Sequence, residues 1–145
     1  MTPDTLEDHF HVWFRGDAAA VRFARAMWDV SQLWDDVVDE RQASPVLLQW
    51  LAFGMDRDPF FMRHAADLKP AMRSVYLQWT TANVLEQGVG DDIAKAFVLR
   101  AGIYGLWHFM AELVGGMDWA IEIGPEIWRQ YGETLADFML ERRNG

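Results

Sequence analysis

The sequence contains no cysteine, which excludes a disulfide framework and a metal site with thiolate ligands. Basic residues are also few, since 13 Lys and Arg stand against 22 Asp and Glu and the net charge is −9. This balance argues against nucleic acid or an anionic membrane surface as a partner, because both are bound through clustered basic side chains. A metal cation or a basic partner protein suits an acidic chain better. We expect a cytoplasmic location, because the lack of cysteine fits a reducing compartment and the acidic first residues do not resemble a signal peptide.

The patterns of several enzyme classes and of membrane proteins are missing as well. No stretch alternates polar and apolar residues for long enough to predict a β-strand. There is no Gly-rich phosphate loop, no nucleophile elbow and no His-Glu-x-x-His zinc helix. Arg100, His108 and Glu112 interrupt the most apolar stretch, so we expect no membrane span.

The sequence is instead rich in apolar residues at helical spacing. Hydrophobic residues make up 51% of the chain, which includes eight tryptophans. We therefore predict an all-α fold, a single-domain helical bundle over residues 1–145, orthogonal or up-down. Capping residues such as Asp17 and Asp58, together with prolines and glycines, place its helices at about 2–14 (from Thr2-Pro3-Asp4), 17–41, 45–53, 59–66, 70–88, 93–114 and from Pro125 onward.

The stretch over about 93–114 is the predicted buried central helix. Its large apolar side chains surround almost the whole helix, as expected of a helix that is buried on all sides. One stripe differs, because the small residues Ala101 and Gly105 share it with His108 and Glu112. Small residues leave room beside the helix, and a buried imidazole or carboxylate must find a partner there. The stripe therefore predicts a pocket or a close helix contact.

Two pairs of polar residues are candidates for that pocket. His108 and Glu112 are four residues apart, so they can ligate one metal ion or hydrogen-bond each other. Asn83 and Glu86 lie beside the apolar stripe of the preceding helix. Glu86 either reaches water at the end of that helix or faces the same interior as Glu112. The predicted pocket residues are Asn83, Glu86, Gly105, His108 and Glu112.

The most specific motif is an Asp-Asp-x-x-Asp pattern, Asp35, Asp36 and Asp39, at the end of the second predicted helix. Carboxylates three or four residues apart share a helix face, so two of them can hold one hard cation such as Mg²⁺. Near a helix C-terminus each carboxylate costs about 0.3–1 kcal/mol at low salt unless a cation offsets it. The alternative is an ordinary solvated face, because Asp36 and Asp39 point away from the core face centred on Val30 and Trp34.

The residues around this motif resemble a known family. The run from Ala24 to Glu40, which ends in Trp34-Asp35-Asp36-Val37-Val38-Asp39-Glu40, is similar to the first aspartate-rich helix of the squalene/phytoene synthase family of class I terpenoid synthases. Residues 101–116 also resemble the central helix of that family. There the aspartates line the pocket and bind Mg²⁺ that holds a prenyl diphosphate. The resemblance thus implies that Asp35, Asp36 and Asp39 are Mg²⁺ ligands.

Two functions from different classes follow from these observations. The first is a small Mg²⁺-dependent, terpenoid-synthase-like protein, either an enzyme or a degenerate one, that binds a diphosphate-bearing small molecule. The second is a non-catalytic acidic helical protein, of an accessory or phage type, that binds a partner protein.

Overall fold

The structure, a computed structural model, describes residues 5–144. Residues 5–144 contain helices and no β-strand, which confirms the predicted all-α class. A π-helical turn over Trp50–Gly54 and a 3-10 turn over Met55–Arg57 join α3 to α4. The helices are α1 Leu6–Trp13, α2 Ala18–Asp39, α3 Pro45–Gln49, α4 Pro59–Leu85, α5 Asp91–Arg100, α6 Gly102–Gly115, α7 Met117–Arg129 and α8 Leu135–Asn144.

Several helices begin at the capping residues that the sequence predicts. The carboxylate of Asp17 accepts a hydrogen bond from the Ala20 amide over 3.1 Å at the start of α2. Asp58 accepts from the amides of Phe60 and Phe61 at the start of α4. The predicted start at Thr2-Pro3-Asp4 lies outside the described residues, and the N-cap of α1 is Thr5.

The predicted central helix over 93–114 is two helices, α5 and α6. At Ala101, φ is −83° and ψ is 15°, and hydrogen bonds of the 3-10 type replace the α-helical pattern. The Ala101 amide donates to the carbonyl of Val98 over 3.1 Å, and the Tyr104 amide donates to the carbonyl of Ala101 over 2.9 Å. A Cβ on Gly102 would lie 3.0 Å from Oε1 of Gln78 and 3.3 Å from Cγ1 of Val75, so α6 starts in close contact with α4. The first half of the predicted central helix, α5, is also less buried than predicted: Val98 on this helix is 63% exposed.

Two prolines that the sequence analysis places at helix starts lie inside helices. Helix α4 runs through Pro70 and bends at His64, where φ is −128° and ψ is 22°. A proline inside a helix removes one backbone hydrogen bond and favours a kink without ending the helix when packing supports both sides. Pro125 likewise lies inside α7, which begins after Gly116 at φ 89°, a left-handed conformation that favours glycine.

The main core lies where α1, α2 and α6 meet. Trp107 of α6 is fully buried at its centre, and its ring centroid lies 4.9–6.0 Å from those of its aromatic neighbours Phe10, Trp13, Trp28 and Tyr104. Edge-to-face and tilted pairs of this kind add to the free energy gained by burying the rings. This cluster fixes α2 against α6 and so forms one side of the cleft described below.

A smaller core holds the C-terminal helix in place. Phe138 of α8 is fully buried with Ala82 of α4 and with Ile93 and Ala96 of α5. Its position holds the connection between α7 and α8 close to α5. No helix within residues 5–144 has the length and apolar character needed to cross a membrane.

A candidate ligand-binding cleft

A cleft of about 320 Å³ opens between α2, α4, the junction of α5 with α6 and the connection from α7 to α8. Four separate parts of the chain contribute to its walls. The lining residues are Trp28, Ser31, Gln32, Trp34, Asp35, Val75, Trp79, Leu99, Arg100, Gly102, Ile103, Tyr104, Tyr131, Gly132 and Glu133.

Aromatic rings form much of the wall. The ring centroids of Trp34 and Trp79 are 5.7 Å apart, and those of Tyr104 and Tyr131 are 5.4 Å apart. The Tyr104 hydroxyl donates to the carbonyl of Gln130 over 3.1 Å, and the Tyr131 hydroxyl donates to the carbonyl of Phe97 over 3.2 Å. Burial raises the pKa of Tyr131 to about 12. Both tyrosines therefore present neutral rings whose hydroxyls are held by the backbone.

Asp35 is the acidic residue of α2 in this wall. The indole N–H of Trp79 donates to its Oδ1 over 2.8 Å. Burial raises the pKa of Asp35 above its ordinary value, and the charges of Asp39 and Asp36 add to that increase. The hydrogen bond from Trp79 and the charge of Arg100 act in the opposite direction without cancelling it. The ionised carboxylate is thus less favourable in the cleft than in water.

Arg100 is the basic residue of the lining, and its charge is already paired. Its Nε donates to Oε2 of Glu86 over 2.8 Å, and its Nη2 lies 2.7 Å from the same oxygen and also donates to Asn83. Its Nη1 lies 3.6 Å from Oδ1 of Asp35. Oε2 of Glu86 also accepts a hydrogen bond from Nη2 of Arg142, on α8, over 3.2 Å. This network holds the guanidinium by two of its nitrogens against α4.

Glu133 contributes a second carboxylate from the connection between α7 and α8. Burial raises the pKa of Glu133, and the nearby charge of Glu141 raises it further. Arg142 and Arg100 oppose this increase only in part. Asp35 and Glu133 therefore both carry a free-energy cost of ionisation that a cation in the cleft would reduce.

The structure separates the three aspartates of the motif. Asp35 lines the cleft, while Asp36 and Asp39 are exposed and are not part of its lining. Within residues 5–144, no group of three or more His, Asp or Glu side chains is arranged to hold a metal ion. Mg²⁺ binding by these aspartates stays a prediction.

The predicted pocket residues fall into two places. Asn83 and Glu86 meet at Arg100 beside the cleft. Gly105, His108 and Glu112 instead line a shallow groove between α6 and α7, together with Phe109, Met117, Ala120 and Ile121.

In that groove His108 is bound to α7. Its Nε2 lies 2.9 Å from the carbonyl of Ala120, and the indole N–H of Trp128 donates to its Nδ1 over 3.3 Å. Since Nδ1 accepts from Trp128, Nε2 is the ring nitrogen that donates to the Ala120 carbonyl. The space predicted beside Gly105 is covered by the Trp128 ring, 3.6 Å from where a Cβ would stand. The small-residue stripe is thus a close helix contact next to a groove.

Several cleft residues are absent from the sequence-based candidates: Trp79, Arg100, Tyr131 and Glu133. The sequence could have identified Arg100 as a candidate, because a charged residue inside an apolar stretch needs a partner when it is buried. No sequence pattern identifies Glu133, since the position of this residue depends on how α8 packs against the other helices.

Asp35→Asn is expected to unfold at the same or a higher temperature than wild type at pH 7. A carboxyl whose pKa is higher in the folded chain stabilises the fold below its unfolded pKa, and this contribution is lost as pH rises through the folded pKa. Asparagine stays neutral and still accepts from Trp79, so the difference should shrink between pH 7 and pH 4. Thermal melts across this range measure it, with Asp36→Asn as the exposed control of equal charge. A variant less stable than wild type at pH 7 would show that pairing with Arg100 outweighs desolvation.

Comparisons of the chain with protein-family models, with curated proteins and with solved structures found no match, so its function is inferred from the cleft itself.

Proposed function

We propose that the protein binds a small organic molecule with apolar or aromatic surface in this cleft. The observation that supports the proposal is a cleft of about 320 Å³ whose rings are held in place by hydrogen bonds to other elements. Ligand sites in proteins are concave, mostly apolar and largely preformed, with a few polar groups that orient the ligand. The four segments of the chain that line the cleft leave a concave space of this kind between the packed helices.

The hydrogen bonds of the hydroxyl groups in the lining favour a binding function over catalysis. The Ser31 hydroxyl donates to the carbonyl of Trp28 over 2.6 Å, and those of Tyr104 and Tyr131 donate to backbone carbonyls. A nucleophile needs a base within hydrogen-bond reach, and these hydroxyls are directed to backbone oxygens.

Mg²⁺-dependent binding of a diphosphate in the same cleft is a second candidate function. The observation that favours it is the place of Asp35, the first residue of the aspartate motif, in the lining. The exposed side chains of Asp36 and Asp39 would have to turn toward the cleft to share a metal ion with it.

A cleft-filling variant tests the proposal. Gln32 lies in the lining but is exposed, so Gln32→Phe should obstruct the cleft at little cost in stability, while Gln49→Phe makes the same change on the exposed side of α3. The neutral fluorescent probe N-phenyl-1-naphthylamine should bind wild type and Gln49→Phe saturably and bind Gln32→Phe at least tenfold more weakly. Equal binding to all three proteins would place the probe elsewhere and contradict the proposal.

Thermal melts with Mg²⁺ and pyrophosphate separate the two candidates. A ligand at about 100 times its Kd adds about 2.7 kcal/mol of stability, which is a measurable shift in Tm. A shift that requires both compounds and disappears in Asp36→Asn would favour the diphosphate candidate. An unchanged Tm would leave the organic ligand as the function that the cleft supports.

A further inference from the structure

We propose that the ligand of this cleft is a small organic cation, an ammonium compound that seats its charged group among the aromatic rings near Asp35 and Glu133. The inference rests on the proposed function and names the chemical class of the ligand. It depends on the charges and the rings that the structure brings together in one cleft.

The charge of the lining favours a cation over an anion. The lining contributes two carboxylates, Asp35 and Glu133, and one guanidinium, that of Arg100. Arg100 is bound through Nε and Nη2 to Glu86 and Asn83, and its remaining nitrogen faces Asp35. A ligand anion would therefore have to displace an existing ion pair and approach two carboxylates, whereas an organic cation would gain the attraction of both carboxylates, of which Asp35 faces Arg100 at 3.6 Å.

The rings of the lining strengthen this preference. Trp28, Trp34, Trp79, Tyr104 and Tyr131 all line the space, and the π faces of aromatic rings attract an ammonium group, those of tryptophan most strongly. The attraction grows when the cation leaves water, because the surrounding dielectric is lower in a cleft. Aromatic rings combined with carboxylates also suit an ammonium that carries apolar substituents better than a bare metal ion, which requires several oxygen ligands at once.

Three soluble probes of similar size and different charge test the inference. They are 2-phenylethylammonium, 2-phenylethanol and 3-phenylpropanoate, each used to displace N-phenyl-1-naphthylamine from the wild-type cleft. The cation is expected to displace the dye at a concentration at least tenfold lower than the alcohol, and the anion is expected to be weaker than both. In Asp35→Asn the advantage of the cation should fall at least fivefold, while the exposed control Asp36→Asn should retain it.

A second variant is needed because Asp35→Asn could change the position of Arg100, which lies beside Asp35. Glu133→Gln removes the other carboxylate from a separate element, and Glu126→Gln on the exposed side of α7 is its control. Equal displacement by cation and alcohol, or an advantage unchanged in both cleft variants, would overturn the inference while the proposed binding function stands. Failure of the dye and all three probes to bind would overturn the function, and the inference with it.

Discussion

Trp107→Ala is expected to lower the free energy of unfolding by about 3–5 kcal/mol, the usual cost of truncating a buried aromatic side chain. Trp107 is fully buried, and its ring centroid lies 4.9 Å from those of Phe10 and Tyr104. Its indole N–H also donates to the carbonyl of Ala24 over 3.3 Å. Alanine would leave a cavity between α1, α2 and α6, and the Ala24 carbonyl would lose the indole as a second donor besides its bond within the helix. Chemical denaturation followed by circular dichroism measures the loss.

The matched control for this substitution is Trp128→Ala. The Trp128 side chain is 40% exposed, and its indole N–H donates to His108 over 3.3 Å. Its truncation should cost less, about 1–2 kcal/mol, because Trp128 is already partly in solvent and the freed imidazole nitrogen can reach water. Equal losses in the two variants would mean that Trp107 is not the centre of the core.

Glu86→Gln is expected to lower the free energy of unfolding by about 1–3 kcal/mol, since it leaves two partly buried guanidinium groups without their shared carboxylate. Oε2 of Glu86 lies 2.7 Å from Arg100 and 3.2 Å from Arg142, and the side chains of these residues are only 16–21% exposed. Glutamine keeps the shape and one acceptor oxygen but removes the charge. Because Arg142 belongs to α8, the loss should be accompanied by faster hydrogen exchange in that helix.

An exposed ion pair in the same protein provides the comparison for Glu86. Glu126 pairs with Arg129 on α7, and both side chains are more than half exposed. Glu126→Gln should change the unfolding free energy by less than about 0.5 kcal/mol, because water screens the pair. A neutral result for Glu86→Gln would instead mean that the cost of burying the network equals the benefit of pairing its charges.

The sequence predicts best those features that depend on neighbours along the chain. Asp17 and Asp58 cap their helices as predicted, because a cap bonds amides two or three residues away. The break at Ala101 is different, since the apolar pattern continues across it and a single glycine, Gly102, does not by itself end a helix. Close contact of Gly102 with α4 accompanies that break, and no local pattern records such a contact.

The aspartate motif shows the same division within a few residues. The sequence identifies Asp35, Asp36 and Asp39 together, because their spacing is all that a motif contains. The structure distinguishes them, since Asp35 lines the cleft and accepts a hydrogen bond from Trp79, while Asp36 and Asp39 are exposed. Which face of α2 is covered depends on where α4 packs, and that is a tertiary contact.

By itself, then, the sequence determined the helical class, the starts of α2, α3 and α4 and the acidic character of the chain, because these depend on local spacing and on composition. Only the tertiary structure decided which polar residues meet. Asp35 and Trp79 are 44 residues apart, and Glu86 and Arg142 are 56 apart, yet each pair is within hydrogen-bond distance. Such pairs form because burial of apolar faces brings distant helices together, and a charged or polar group buried there must then bind whatever partner the packing supplies.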